Sequence, residues 1–244
     1  MTRRMFSVFA VVLLSGVVLG QVPGVRTVHV FVALADNQHQ GIVPVAPALG
    51  NGDDAERNLY WGSAYGVKTY FSRSSQWERI SCVLKPKAEI LERCVFKYRG
   101  ADTYLVADAY RGIEIKQAVE DFLDSAAGDG PDSVELHGAN AASKLPIRGG
   151  SSLVAYVGHD GLMDFHLDRL PGQKNDLHRD AIVLACASKQ FFAEPVRASG
   201  AYPLLWTTGL MAPEAYTLKS ALDGWIAGES RDQIRDRAAS AYDK

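Results

Sequence analysis

The chain has 244 residues, of which 47% are hydrophobic and 22% charged, with a formal net charge of −2. That is the composition of one ordinary globular domain, long enough to bury about 70% of its unfolded surface without a metal or disulfide to supply the core. It has no basic stripe of the kind nucleic-acid binding needs, no low-complexity segment and no internal repeat.

The first element is a targeting signal. MTRR supplies a positive start, and MFSVFAVVLLSGVVLG supplies an apolar core that ends at Gly20. The run is short for a bilayer, so residues 1–20 read as a signal peptide and residues 21–244 as a single mature domain. An uncleaved anchor is then the only expected route to a membrane. No Cys lies at the cut, which argues against a lipoprotein. The expected location is periplasmic or secreted.

VRTVHVFVALAD (25–36) is a β-branched run that reads as a buried strand ending on Asp36. Residues 37–58 are rich in Gly, Pro, Asn and Asp and read as a long loop, a kind that in compact domains is functional or disordered. LYWGSAYGVKTYFSRS (59–74) has apolar residues at helical spacing, with Asn58 as its expected N-cap. RISCVLKPKAEILERCVFKY follows, predicting a β-hairpin near 79–99 that turns at Lys-Pro-Lys. In an oxidising compartment its Cys82 and Cys94 are expected to pair across the two strands, the alternative being two separate half-buried thiols. Pairing would leave Cys186 over, and an odd cysteine in an exported protein is a candidate reactive thiol.

ADTYLVADAYRG (101–112) is a further strand. Residues 114–128 form an amphipathic helix with Ile115, Ala118, Val119, Phe122 and Leu123 on one face and Gly128 as the stop. VAYVGHDGLMDF (154–165) and AIVLACASKQFF (181–192) are two apolar strand runs delivering His159 and Cys186. AYPLLWTT (201–208) is a last strand, residues 212–230 a helix, and 232–243 a charged surface helix. Strands alternating with helices predict an α/β fold with a central, mainly parallel sheet covered on both faces. Asp36, His159, Cys186 and Trp206 all fall at strand exits, where such sheets bind ligands.

A thiolate attacks carbonyl carbon, and an imidazole beside it holds the proton. Backbone N–H groups near the two side chains would stabilise the resulting oxyanion, and Gly158 and Gly161 allow close backbone approach. On spacing alone, a single Cys after an apolar strand is more often a buried core thiol. YVGHDG (156–161), AIVLACAS (181–188) and YPLLWTTGLMAPEAYTLKSAL (202–222) resemble the corresponding segments of the caspase-like peptidase clan, which includes caspases, metacaspases, gingipains and CHAT-type domains. The resemblance covers residues 150–225 best. It implies a three-layer α/β/α sandwich, His159 as general acid/base, Cys186 as nucleophile, Trp206 and Asp36 in the substrate pocket, and a peptide or protein substrate with no cofactor. The clan has Gly after the histidine, where this chain has Asp160 and places Gly161 one later; the Asp160 backbone N–H is then the expected oxyanion donor. After the cysteine the chain reads Ala187-Ser188-Lys189 instead of Ser-Gly or Thr-Gly, so an inactive relative is also consistent with the pattern.

Two other functions fit the residues. His159, Asp160, Asp164, His166, Asp168 and His178 would suit a metal-dependent hydrolase, although their spacing matches no zinc signature. A non-catalytic binding or scaffold protein of the cell envelope would use the 37–58 loop with Tyr60, Trp61 and Tyr65 as an aromatic surface for an envelope partner. A serine hydrolase is disfavoured because no Gly-x-Ser-x-Gly elbow occurs.

Overall fold

The computed structural model describes residues 24–137 and 142–243. The signal peptide read over 1–20 lies outside the described residues. None of the described helices is long and apolar enough to cross a membrane.

β1 (Arg26–Ala33) is the first expected strand, buried along nearly all its length. It sits between β4 (Thr103–Tyr110) and β7 (Leu153–Val157), parallel to both. β8 (Asp180–Leu184) and β9 (Tyr202–Leu205) extend the parallel array beyond β7. Beyond β4, β3 (Ile90–Tyr98) and β2 (Trp77–Lys87) add an antiparallel hairpin, giving the seven-stranded order β2-β3-β4-β1-β7-β8-β9. The fold is therefore α/β with a mainly parallel sheet. β5 (Asp132–His137) and β6 (Ala142–Ile147) form a separate antiparallel ribbon in a stretch that the sequence marks only by its Gly and Asn.

β1 explains why apolar runs dominate: successive side chains point to opposite faces, and both faces are buried. Val28, Val30 and Val32 pack with Trp61, Phe71 and Leu218 on one side. Phe31 and Ala33 pack with Val119, Phe122 and Phe192 on the other. Helices α1 (Val67–Arg73) and α4 (Ala215–Ala227) contribute to the first core, and α2 (Ile115–Ala126) and α3 (Ser188–Ser199) to the second. In α2 the five expected apolar residues are all buried, and Gly128 adopts φ +83° after its end, as a helix stop requires. α5 (Arg231–Tyr242) is a surface helix that buries only Ile234 and Ala238.

Several element boundaries depart from expectation, among them the hairpin turn, which falls at Ala88-Glu89 because β2 runs on through Lys85-Pro86-Lys87. The helix read over 59–74 is confined to α1, because the chain turns tightly before it; a Cβ at Gly66 would lie 2.4 Å from the Trp61 backbone. Asn58 is not its cap. Its buried amide accepts from the Ala35 N–H at 3.0 Å and donates to the Ala35 carbonyl at 2.8 Å, bridging the long loop to the end of β1. The run read as a strand over 181–192 stops at Leu184, and its second half belongs to α3.

Cys82 and Cys94 face each other across β2 and β3 and form a disulfide, with their Cα atoms 4.1 Å apart. Cross-linking a loop of this length stabilises a fold by about 3 kcal/mol in the chain-entropy account. The Cys82→Ala/Cys94→Ala double variant is expected to lose about that much in urea unfolding, and a loss below about 1 kcal/mol would show that the bridge does little for stability.

A buried polar network ties three strands together. Arg93 of β3 donates both Nε–H and Nη2–H to Asp108 of β4 at 2.6 Å. His29 of β1 donates from Nε2 to Asp108 at 3.1 Å, while its Nδ1 accepts the Arg148 N–H at 3.1 Å. Both ring nitrogens are thereby used and the neutral imidazole is fixed. Burial pushes His29 below its usual 6.5, against the pull of Asp108. Burial alone would raise Asp108, but the bonds from Arg93 and His29 outweigh it and hold the carboxyl at about 2.

Among the parallel strands the chain moves from β1 to β4 on one side and then crosses to β7 on the other. Such a reversal opens a crevice at the carboxyl ends of the two central strands, which is the usual ligand position in open α/β sheets.

Candidate functional site

β7 and β8 pair in parallel register, with Val157 opposite Leu184, and the Gly158 N–H continues the ladder to the Leu184 carbonyl at 3.2 Å. His159 and Cys186 each stand two residues beyond that pair. Gly158 is required here by close approach: a Cβ would meet the Ala33 carbonyl oxygen at 2.9 Å. The chain then turns through residues 161–163, capped by the Asp160 side chain.

His159 is almost fully buried. Its Nε2–H donates to Asp164 Oδ2 at 2.8 Å, and the Tyr156 hydroxyl donates to its carbonyl at 2.7 Å. A carboxylate accepts only, so the proton belongs on Nε2 and Nδ1 carries the free lone pair. The same Asp164 oxygen accepts the Gly41 N–H at 2.9 Å, which attaches the long loop to the histidine. Sequence reading grouped Asp164 with metal ligands; its place as the orienter of His159 had no signal beyond its nearness in the chain.

Asp160 is fully buried. Its Oδ1 accepts the Leu162 N–H at 3.1 Å, and Oδ2 has no partner among the described residues. Burial, reinforced by the charge of Asp164 and opposed by the Leu162 N–H, pushes this carboxyl up to about 7. Among the described residues the backbone N–H groups of Asp160 and Cys186 also have no intramolecular partner.

Cys186 is half-buried and is the one free thiol of the chain. Its Sγ lies 3.4 Å from the Met211 carbonyl oxygen and 3.5 Å from the Met211 nitrogen. The next residue, Ala187, has φ +46°, a left-handed conformation unfavourable for a side chain with a Cβ. Strain of this kind is retained where the surroundings over-determine the backbone, and functional turns are a common place for it. Loop 207–209 takes up the start of α3: the Ala187 N–H donates to the Gly209 carbonyl at 2.8 Å, Ser188 N–H to Thr207 Oγ1 at 3.1 Å, and Lys189 N–H to the Thr207 carbonyl at 2.9 Å. These N–H groups are therefore not open to an anion. Tyr60 is buried close by; burial, then the nearness of Cys186, pushes its hydroxyl well above the ordinary value.

The other residues singled out from sequence divide. Asp36 leaves β1 as expected, but its carboxylate is committed. Oδ1 accepts the N–H groups of Gln38 and His39 at 2.9 and 3.3 Å, and Oδ2 accepts His39 Nδ1–H at 2.8 Å. It closes the base of the 37–58 loop beside a cleft of about 300 Å³. Trp206 follows β9 directly and walls a larger cleft of about 560 Å³ next to Cys186. Gly161 fits under Phe165, whose ring lies 2.7 Å from where a Cβ would stand.

The His- and Asp-rich connection does not gather into a ligand set. Asp168 pairs with Lys116, His178 with Asp180, and His159 with Asp164. Among the described residues one cluster brings three potential ligands together, Cys82, Glu92 and Cys94, but its sulfurs are bonded to each other. The aromatic surface is also smaller than expected: Tyr60 and Trp61 are core residues, and Tyr65 alone of the three is exposed.

No family model, no curated protein and no solved structure matches the chain. Assignment of a function rests on these side chains and their geometry.

Proposed function

We propose that the chain is an exported cysteine hydrolase of the peptidase type, with a caspase-like three-layer α/β/α architecture, acting in the periplasm or outside the cell. The single observation that carries this reading is that His159 and Cys186 each lie two residues beyond the Val157–Leu184 pair, at the carboxyl ends of neighbouring parallel strands, the edge of the sheet at which such folds bind ligands. The orienting carboxylate of Asp164 supplies the third member of a nucleophile–base–orienter set. The disulfide fits an oxidising compartment.

In this mechanism His159 Nδ1 takes the proton of the Cys186 thiol as sulfur attacks a substrate carbonyl. The C–S bond forms, the carbonyl electrons pass to oxygen, and the Asp160 and Cys186 N–H groups receive that oxyanion. The electrons return, the C–N bond breaks, and the His159 proton goes to the departing amine. Water, deprotonated by His159, then attacks the thioester, and sulfur leaves to recover its proton.

The test is alkylation of the exported protein by iodoacetamide without denaturant. Cys186 should be modified readily and His159→Ala should slow the reaction by at least about tenfold at neutral pH. A Cys186 that reacts only after unfolding would overturn the proposal and leave the non-catalytic scaffold as the better reading.

A further inference from the structure

The cleft beside Cys186 belongs to none of the catalytic groups, and its lining is chemically one-sided. The ends of two strands, Leu184 and Leu205, border it, together with Trp206, Leu210 and Met211. α5 supplies the opposite wall through Ala238, Ala239 and Tyr242. Cys186 does not line the cleft itself; Met211 joins the two, lining the cleft and holding its backbone oxygen and nitrogen 3.4 and 3.5 Å from the sulfur. Leu210 is 82% exposed, an apolar side chain left at the rim with nothing covering it.

Charge at this cleft has one sign. Lys189 and Arg235 line it, and no carboxylate does. Lys189 has no ion pair among the described residues, and Arg235 reaches only the Leu204 carbonyl at 3.3 Å and an exposed Asp232 at 3.5 Å. Of the hydroxyls in the wall, from Thr207, Thr208, Thr217 and Tyr242, that of Thr217 is buried without a hydrogen-bond partner among the described residues. An unmet buried hydroxyl is costly, and a ligand polar atom would satisfy it. An apolar trough lined by an unpaired Lys189, by an Arg235 whose ion pair is with an exposed Asp232, and by an unmet hydroxyl is complementary to a molecule with an apolar body and an anionic end.

We infer that this cleft is the recognition pocket for the acyl side of the substrate, and that it selects an apolar group carrying a carboxylate. The inference rests on the cysteine-hydrolase reading and adds its substrate class. The apolar body lies along Trp206, Leu210 and Met211, and the carboxylate reaches Lys189 and Arg235.

Four iodoacetamides test it on the exported protein: the unsubstituted reagent, and three carrying a pentyl or hexyl chain that ends in a methyl, a carboxylate or an ammonium group. Rates of Cys186 alkylation are read by intact-mass spectrometry. The methyl-ended reagent is expected to react about tenfold faster than iodoacetamide, through burial of its chain. The carboxylate should add about fivefold and the ammonium should subtract from the methyl-ended rate. In Lys189→Met/Arg235→Gln, or at about 0.5 M salt, the carboxylate advantage should vanish while the chain advantage stays. Equal rates for the carboxylate and ammonium reagents, or a carboxylate advantage that survives the double substitution, would overturn the inference. Iodoacetamide modifying Cys186 without any preference among the chains would remove this inference alone. Failure of every reagent on the native protein would remove the hydrolase reading and the inference together.

Discussion

Asp108→Ala is expected to lower the unfolding free energy by about 3–5 kcal/mol, because it strands a largely covered guanidinium and a fully buried imidazole N–H at once. Arg93 gives Nε–H and Nη2–H and His29 its Nε2–H to this one carboxylate, and the His29 ring is wholly out of solvent. The pH profile gives a second readout. His29 stays neutral in the fold below its ordinary 6.5, so the unfolded chain takes up a proton that the native chain refuses, and stability declines as pH falls below about 6.5. Asp108, held at about 2 against an ordinary 3.8, contributes stability above that ordinary value which is lost as pH falls through the interval. The variant should keep the first decline and lose the second. Urea unfolding over a pH series measures both. A loss below about 1 kcal/mol at pH 7 with an unaltered acid profile would mean that the network is dispensable.

Asp164→Asn is expected to slow alkylation of Cys186 by about 100-fold at a pH of about 6.5, where a thiol with no base beside it is only about 1% thiolate. The carboxylate accepts the Nε2 proton of His159 and so leaves the Nδ1 lone pair free, as the proposed dyad requires. An asparagine amide can donate to Nε2 instead, which puts the proton on Nδ1 and removes the base. The deficit should shrink toward a pH of about 9, where thiols ionise unaided. A substitution that merely loosened the loop would slow the reaction equally at both pH values. Unchanged alkylation at the lower pH would show that Asp164 does not position the base. Asp164 also holds Gly41, so circular dichroism of the variant is needed to show that the fold is intact.

The parts of the fold legible in the sequence are those where one local signal decides. β1, β7 and β8 are apolar because both of their faces are covered, and α2 carries a helical stripe that ends in glycine. The disulfide was legible from alternation around Lys-Pro-Lys read together with an expected export signal. α3 was hidden because its Phe191 and Phe192 continue the apolar run of β8, while Pro195 argues against a helix. Its buried positions, Ser188, Phe192, Pro195, Val196 and Ser199, do fall at helical spacing, but two serines and a proline do not register as an apolar face. Of the candidate site, the two strand exits were readable and their supports were not. Asp164 acts across a turn, Met211 comes from a loop after the following strand, and Tyr60 from a segment far earlier in the chain. Those relations are tertiary, and no spacing in one segment encodes them.

Along the chain His159 and Cys186 are separated by the whole β7–β8 connection, but each lies two residues beyond the last rung, Val157–Leu184, of the same parallel ladder. The hydrogen-bond ladder acts as a ruler for that rung, and the connection does not. The connection can lengthen, shorten or change its charges without altering the offset between the two side chains, whereas a one-residue slip of β8 would send Cys186 to the other face of the sheet. Tolerance to insertion and intolerance to slippage thus meet within a few residues of each other, which leaves the outer loops free to diversify around an unchanged pair.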